Sequence, residues 1–486
     1  MKSVEGIRTW LSRAFGLDIR SLALTRVSYG VLILCDLLVR STTLEAHYTD
    51  QGVFPLQVYN SVGLPFGISF HALNGSFTYQ AVLFFLNALA AIALIIGWRT
   101  RFATLACWLF MMSLHNRNFL LLNGGDTWMR IMLFWAIFLP WGERWSLDAG
   151  PRKDCQTDEV CSAATVGFVV QVFLVYWMAG IFKTGAAWWS EGSAIHLTMA
   201  LAEWNGDLAY YLLFYPNLMK SLTFVILAFE LVGPFLLVSP LFWGPLRTFT
   251  VLGFIGFHVG LAIFIEIGLF PFVGIFTVAA LIPGWAWESR WMAKLSARLD
   301  RFWQLATVRM PVSPQRSLRT LSSRLSLVLF CITFYVVYWT MGTWREDLGP
   351  SPELQVPGHL LRIDQYWGLF APEPPRVHSW FVAEGVLADG RRIDLIRDGA
   401  PLDWSCPVSS SVYKNQRWKR FYVGEASEVG GFTREPHIRY LYRRWTPRFP
   451  GLVSIELFRM TQSSFLNHLD AEPSRISLLK VRRDEL

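Results

Sequence analysis

The chain has 486 residues, is 53% hydrophobic and only 16% charged, and has a mean hydropathy of +0.34. A soluble protein carries about 25% charged residues, so a soluble globular domain does not describe the whole chain. The formal charge of +8 sits mainly in short loops between apolar segments. That pattern argues for membrane topology and against nucleic acid as a partner.

In chain order, residues 1–21 read as an amphipathic basic helix. Ile7, Trp10, Leu11 and Phe15 are its apolar positions, and Lys2, Arg8, Arg13 and Arg20 its charges. Such a helix suits a membrane surface. No cleavable leader is read, so the next apolar segment is expected to stay in place as a span. Nine segments then approach the length that crosses a hydrocarbon core of about 30 Å. They run over about 22–42, 79–98, 101–119, 127–141, 162–182, 218–239, 246–265, 268–285 and 324–343. The third, fourth and eighth are the weakest, and the fourth ends at Pro140. The expected fold is an all-α polytopic membrane bundle over 22–343.

Alternate loops are basic: Arg99 and Arg101, then Arg144, Arg152 and Lys153, then Arg247. The last of this set carries Arg290, Lys294, Arg298, Arg301, Arg309, Arg316 and Arg319. The opposite loops hold only Arg117, Arg130, Lys183 and Lys220. The positive-inside rule then puts the N-terminus in the cytoplasm. Nine spans put the tail outside, in a bacterium on the periplasmic or extracellular face of the inner membrane.

Residues 344–486 are polar and rich in Pro and Arg, and they show strand alternation. Trp380–Leu387, Ala388-Asp389-Gly390 and Arg391–Ile396 read as a hairpin, since Asp-Gly supplies the positive φ of a tight turn. Val453–Met460 reads as another strand, so the tail is expected to be a small β-rich domain on the outer membrane face. Cys35, Cys107, Cys155, Cys161, Cys331 and Cys406 show no metal or disulfide spacing and read as inert thiols. The final Arg-Asp-Glu-Leu resembles a retention signal, a short pattern that often arises by chance.

Ionisable residues at membrane depth are costly and mark functional candidates. Lys183 follows the fifth span within Ala179-Gly180-Ile181-Phe182-Lys183, ahead of Trp188 and Trp189. It reads either as a desolvated general base or as a snorkelling anchor. His115 and the Asn123-Gly124-Gly125-Asp126-Thr127 break, followed by Arg130, read as a helix cap, an i,i+4 Asp126–Arg130 pair, or the lining of a polar cavity. His258 lies inside the seventh span, with Glu266 beyond it and Glu230 in the sixth. It reads as a satisfied interhelical histidine or as part of a proton path. His47–Pro55 reads as a surface turn or a cover for the cavity mouth. No Walker loop, dinucleotide fingerprint, HExxH or nucleophile elbow is present, and no metal is expected.

Several ordered blocks resemble one family. They are His47–Pro55; Asn123–Thr127 with Leu139-Pro140-Trp141-Gly142 and Trp145-Ser146-Leu147-Asp148; and Ala179-Gly180 through Lys183 to Trp188 and Glu191-Gly192. Together they resemble the HTTM domain, the membrane domain shared with vitamin K-dependent γ-carboxylases. Phe370-Ala371-Pro372-Glu373-Pro374-Pro375-Arg376 is similar to bacterial members. The resemblance covers roughly 15–285 and, more loosely, the tail. It implies that Lys183 is the base that deprotonates reduced vitamin K or another quinol. The quinol's oxidation then drives γ-proton removal from glutamate in an exported peptide, followed by carbon dioxide addition. It also implies that His258 is a site histidine, with Asn123, Asp126, Arg130, His115 and Trp188 around the substrate. Two departures stand out. The tail has only about 140 residues, where animal carboxylases are longer, and Phe182-Lys183 replaces their lysine pair. The alternatives are a non-enzymatic maturation factor for secreted proteins and a quinone-binding oxidoreductase.

Overall fold

The computed structural model describes residues 2–62, 67–149, 158–201, 204–206, 208–307, 320–407, 412–463 and 472–485. Arg152, Lys153, Cys155, Arg309, Arg316, Arg319 and Leu486 fall outside them. Among the described residues, six helices are long and apolar enough to cross a membrane: Ile19–Ser41, Phe77–Ile96, Ala163–Ile181, Pro216–Val238, Trp243–Phe264 and Ser323–Trp344. Four of them begin at a side-chain cap. Asp18 Oδ1 accepts from Arg20 N at 2.8 Å, and Ser76, Ser162 and Ser322 cap three others. Gly97 closes Phe77–Ile96 at φ +68°, a conformation that glycine adopts without a Cβ clash.

Three expected spans do not meet that length and composition. Thr100–Arg117 is long enough but carries Arg101, His115, Asn116 and Arg117. Gly124–Ala136 has 13 residues and Phe270–Ala279 has 10, rises of only about 20 and 15 Å. The Asn123 cap and Pro271 set where these two begin. All three run between the ends of the bundle. At the end marked by Asp18, Arg26 donates to the carbonyls of Leu94 at 2.6 Å and Ile95 at 3.0 Å, and also to that of Trp145. There too, Ser21 Oγ donates to Ile282 O at 2.7 Å. At the opposite end, marked by Arg40, Asp126 meets Arg40, and Phe270 packs on Gly124 and Gly125. The core between is aromatic, with Trp128, Trp135 and Trp141 almost wholly buried.

The tail carries a five-stranded antiparallel sheet. From one edge to the other its order is Ala400–Pro401, Arg392–Asp394, Val377–Leu387, Leu452–Ser463 and Ser474–Arg482. The Asp389-Gly390 turn is present, with Gly390 at φ +84°, and Glu384 faces Asp394 across the hairpin. Two helices, Gln416–Ala426 and Arg434–Trp445, add to the strands expected there.

The tail also enters the bundle. The Pro352–Leu360 helix folds back along Ser323–Trp344, where Tyr335 Oη donates to Leu354 O at 2.6 Å. Ile363, Gln365 and Trp367 are then buried. Gln171, midway along Ala163–Ile181, donates to Gln365 Oε1 at 2.6 Å, and Trp367 Nε1 donates to the same oxygen at 2.7 Å.

Candidate functional site

Lys183 follows the last turn of Ala163–Ile181 and turns inward. Its Nζ lies 2.7 Å from Glu230 Oε2, donates to Ala179 O at 3.0 Å and sits 4.9 Å from the Trp188 ring centroid. Only 3% of the side chain is exposed, so it is no snorkelling anchor. Glu230 lies well inside Pro216–Val238 rather than at its end. An amine and a carboxyl group so far from water hold one another in place, and loss of either leaves a costly unpaired polar group.

A strap from the tail closes over this pair. Trp188 Nε1 donates to Phe370 O at 3.0 Å, and Gly185 N to Pro372 O at 3.1 Å. Arg376 bridges Glu191 at 2.9 Å and Glu373 at 3.3 Å. The Phe370–Arg376 block and the Lys183–Glu191 block, far apart in sequence, are therefore one structural unit.

On the same helix, seven residues before Lys183 and about 10 Å away along the axis, Tyr176 Oη lies 2.7 Å from His258 Nε2. His258 is fully buried against Trp128 and Phe270. Gly274 is required beside it, because a Cβ there would collide with the imidazole. His258 Nδ1 has no hydrogen-bond partner.

Asn123, Asp126, Arg130 and His115 form a second buried layer. Asn123 Oδ1 accepts from Gly125 N and Asp126 N, while Asp126 Oδ2 accepts from Asn123 N at 2.8 Å, a reciprocal cap. Asp126 ion-pairs with Arg40 at 2.8 Å and with Arg417 at 2.6 Å rather than with Arg130. Arg40 and Arg417 also hold Asp36, at 2.7 and 2.6 Å. Arg130 turns instead to Arg362 O at 2.9 Å and His115 Nδ1 at 3.2 Å. The layer thus joins Ile19–Ser41, Gly124–Ala136 and the tail helix Gln416–Ala426. The carboxylates of Asp36 and Asp126 thus pair with Arg40 and Arg417 inside the layer itself.

The family model for the HTTM domain matches residues 16–285. The chain belongs to the HTTM-domain family. That domain is found in vitamin K-dependent carboxylase-like membrane proteins. No curated protein and no solved structure matches this HTTM chain.

His47–Pro55 turns at Asp50 and Gln51, which are exposed, but most of its rings point inward. His47, Tyr48, Val53 and Phe54 are fully buried. The His47 ring packs 4.4 Å from Trp418 of the tail. Burial, with the charges of Arg40, His437 and Arg417 nearby, pushes the His47 imidazole down to about 3, so it is neutral. Sequence reasoning missed Tyr176, Arg40, Asp36 and Arg417. The Asp36–Arg40 spacing of four inside an apolar segment was a usable signal. Nothing local marks Arg417. Among the described residues, no group of His, Cys, Asp and Glu is arranged to hold a metal ion.

Proposed function

We propose that this HTTM protein is a vitamin K-dependent γ-carboxylase-like membrane enzyme acting on glutamate in exported polypeptide. The observation that carries the reading is the Lys183 amine, buried among Trp188, Ala179 and Glu230 beside the Phe370–Arg376 strap. Its surroundings suit an acidic hydroxyl on an apolar ring: Trp188 and Leu227 lie in the core cluster on this side, with Leu231 and Phe370 packed against it. When bound, reduced vitamin K or another quinol would supply the oxygen-driven base that this chemistry requires. The chain's own contribution is narrower. Lys183 Nζ accepts a proton, Glu230 positions Nζ and balances the charge that results, and Trp188 with the strap excludes water. Tyr176 orients His258, which keeps one polar atom within the apolar wall. Asn123, Asp126, Arg130 and His115 hold the tail and bundle in register rather than touching substrate.

The proposal includes topology. Thr100–Arg117, Gly124–Ala136 and Phe270–Ala279 run between the same two ends as the six long helices. We read them as completing nine crossings, with the N-terminus cytoplasmic and the sheet domain on the far side. Residues 1–21, 22–343 and 344–486 then serve as surface helix, membrane domain and extramembrane domain, except that part of the last is embedded.

The test is labelled carbon dioxide incorporation by the purified full chain in lipid, given reduced vitamin K, oxygen and a Glu-rich peptide. Incorporation that disappears in Lys183→Ala supports the reading. Quinone turnover without peptide labelling points to an oxidoreductase, and absence of both to a maturation factor. The last reading has one observation of its own. The edge strand Ser474–Arg482 borders a surface cleft of about 500 Å³ lined by Phe432, Arg434, Leu478 and Leu479, a place for an extended polypeptide.

A further inference from the structure

The amphipathic Arg290–Thr307 helix, at the Asp18 end, is held in one rotational setting. Asp300 accepts from Arg144 Nη2 at 2.6 Å and from Trp145 Nε1 at 2.9 Å, and Ser296 Oγ accepts from Arg144 at 3.2 Å. Met292, Leu299 and Trp303 pack against the Trp145–Trp287 cluster. These residues share one face, so the opposite face is fixed as well.

That opposite face is apolar and exposed. Trp291 is 83% exposed, Phe302 63% and Leu305 78%, with Leu295 beside them. Their spacings of four, eleven and fourteen residues from Trp291 place all four within a stripe of about 80°. Lys294, Arg298 and Arg301 lie exposed on and beside the stripe. The helix's own carboxylate, Asp300, faces the bundle. Among the described residues, none of the three cations makes an ion pair. Lys294 lies 6.0 Å from the Trp291 ring centroid, and a locked helix that shows water bulky apolar groups and cations without carboxylate partners fits a partner that is apolar in depth and anionic at its surface.

We propose that the outer face of Arg290–Thr307 binds anionic phospholipid headgroups and seats the Asp18 end of the bundle in the membrane interface. The stripe enters the acyl boundary, and Lys294, Arg298 and Arg301 engage the phosphates. Charge complementarity selects this occupant over a zwitterionic surface. The helix also lies between Ile282, at the Asp18 end, and Ser323, where a long apolar helix begins, which places it at the level of the headgroups.

The experiment uses the full chain in neutral detergent and follows energy transfer from tryptophan to dansyl-labelled phosphatidylglycerol or phosphatidylcholine. Phosphatidylglycerol is expected to bind more tightly, with an advantage that falls as salt rises. The combined Lys294→Glu, Arg298→Glu and Arg301→Glu variant is expected to weaken phosphatidylglycerol roughly tenfold or more while leaving phosphatidylcholine and the unfolding temperature unchanged. If that variant does not fold, Arg298→Gln alone is expected to show a smaller loss of the same selectivity. Equal binding of the two lipids overturns the proposal, as does selectivity that survives the charge reversals. A dimer in detergent that Phe302→Glu disperses also overturns it, because the occupant is then a second copy of the chain.

Discussion

Arg417 of the tail meets Asp126 of the bundle through hydrogen bonds of 2.6 and 2.8 Å at a site where both side chains are almost shut off from water. The same guanidinium reaches Asp36 at 2.6 Å and Leu121 O at 3.0 Å. Removing it leaves two carboxylates to share Arg40 alone. Arg417→Met is expected to destabilise the full chain by about 3–5 kcal/mol and to expose the tail to trypsin first. Thermal unfolding in detergent with timed proteolysis checks this. A loss below about 1 kcal/mol would mean that water enters the layer and pairs the carboxylates.

Lys183 and Glu230 act as a unit. Glu230→Gln leaves the ammonium that forms when Lys183 accepts a proton with a weaker partner, and Lys183→Ala removes the proton acceptor altogether. Both are expected to lower kcat by about 100-fold or more, with Glu230→Asp restoring part of the rate. Carbon dioxide incorporation at saturating quinol measures this. Full activity in Lys183→Ala would remove the amine from the reaction.

The strap is the barrier between Lys183 and reagents in solution. Its Arg376 bridges are about 40% exposed on each side of the Glu191 pair, so they add little to stability, yet they fix where the strap lies. Arg376→Glu places like charges against Glu191 and Glu373. Modification of Lys183 by a water-soluble amine reagent, read by mass spectrometry, is expected to rise several-fold relative to exposed Lys220. Unchanged labelling would show that Phe370 and Pro372 hold the strap without Arg376.

Much of this architecture was legible because the membrane enforces it. Six helices follow directly from apolar length, and the Asp389-Gly390 hairpin from turn chemistry. Thr100–Arg117 and Gly124–Ala136 misled the span reading because helices shielded by neighbours need not be apolar along their full length, and Phe270–Ala279, itself apolar, because its helix stops short of the apolar run. The sequence marks Asp126 as one possible cap of the helix; the cap is Asn123, three residues earlier, and Asp126 answers it from the third helical position. The ion-pair partner of Asp126 was not legible, since Arg417 lies almost 300 residues away and no periodicity links it to Asp126. Gln365 and Trp367 gave no sign of entering the bundle, because a polar tail following a span reads as extramembrane. His47–Pro55 does turn at Asp50 and Gln51, but its buried rings are packed by a helix far along the chain, which no local signal shows.

Asp394 gives the sheet domain a pH dependence of its own. It is fully buried in the hairpin and accepts from Ile396 N at 2.9 Å, and Oδ2 has no hydrogen-bond partner. Burial raises its carboxyl from 3.8 to about 6, against the lowering effect of the Ile396 N–H and Arg397. Below about pH 4 the group is protonated in folded and unfolded chains alike. Between about 4 and 6 the unfolded chain gives up the proton first, so stability falls as pH rises through that window and is level above it. The full loss is about 2–3 kcal/mol. Asp394→Asn keeps an acceptor for Ile396 N and is expected to abolish the step, stabilising the domain at pH 7.5 but not at pH 4. Urea unfolding of the full chain, followed by thiol labelling of Cys406 beside Trp380, measures it within the domain. A wild-type midpoint that rises between pH 4 and 6 would mean that Arg397, 3.6 Å away, outweighs burial and holds the carboxylate charged.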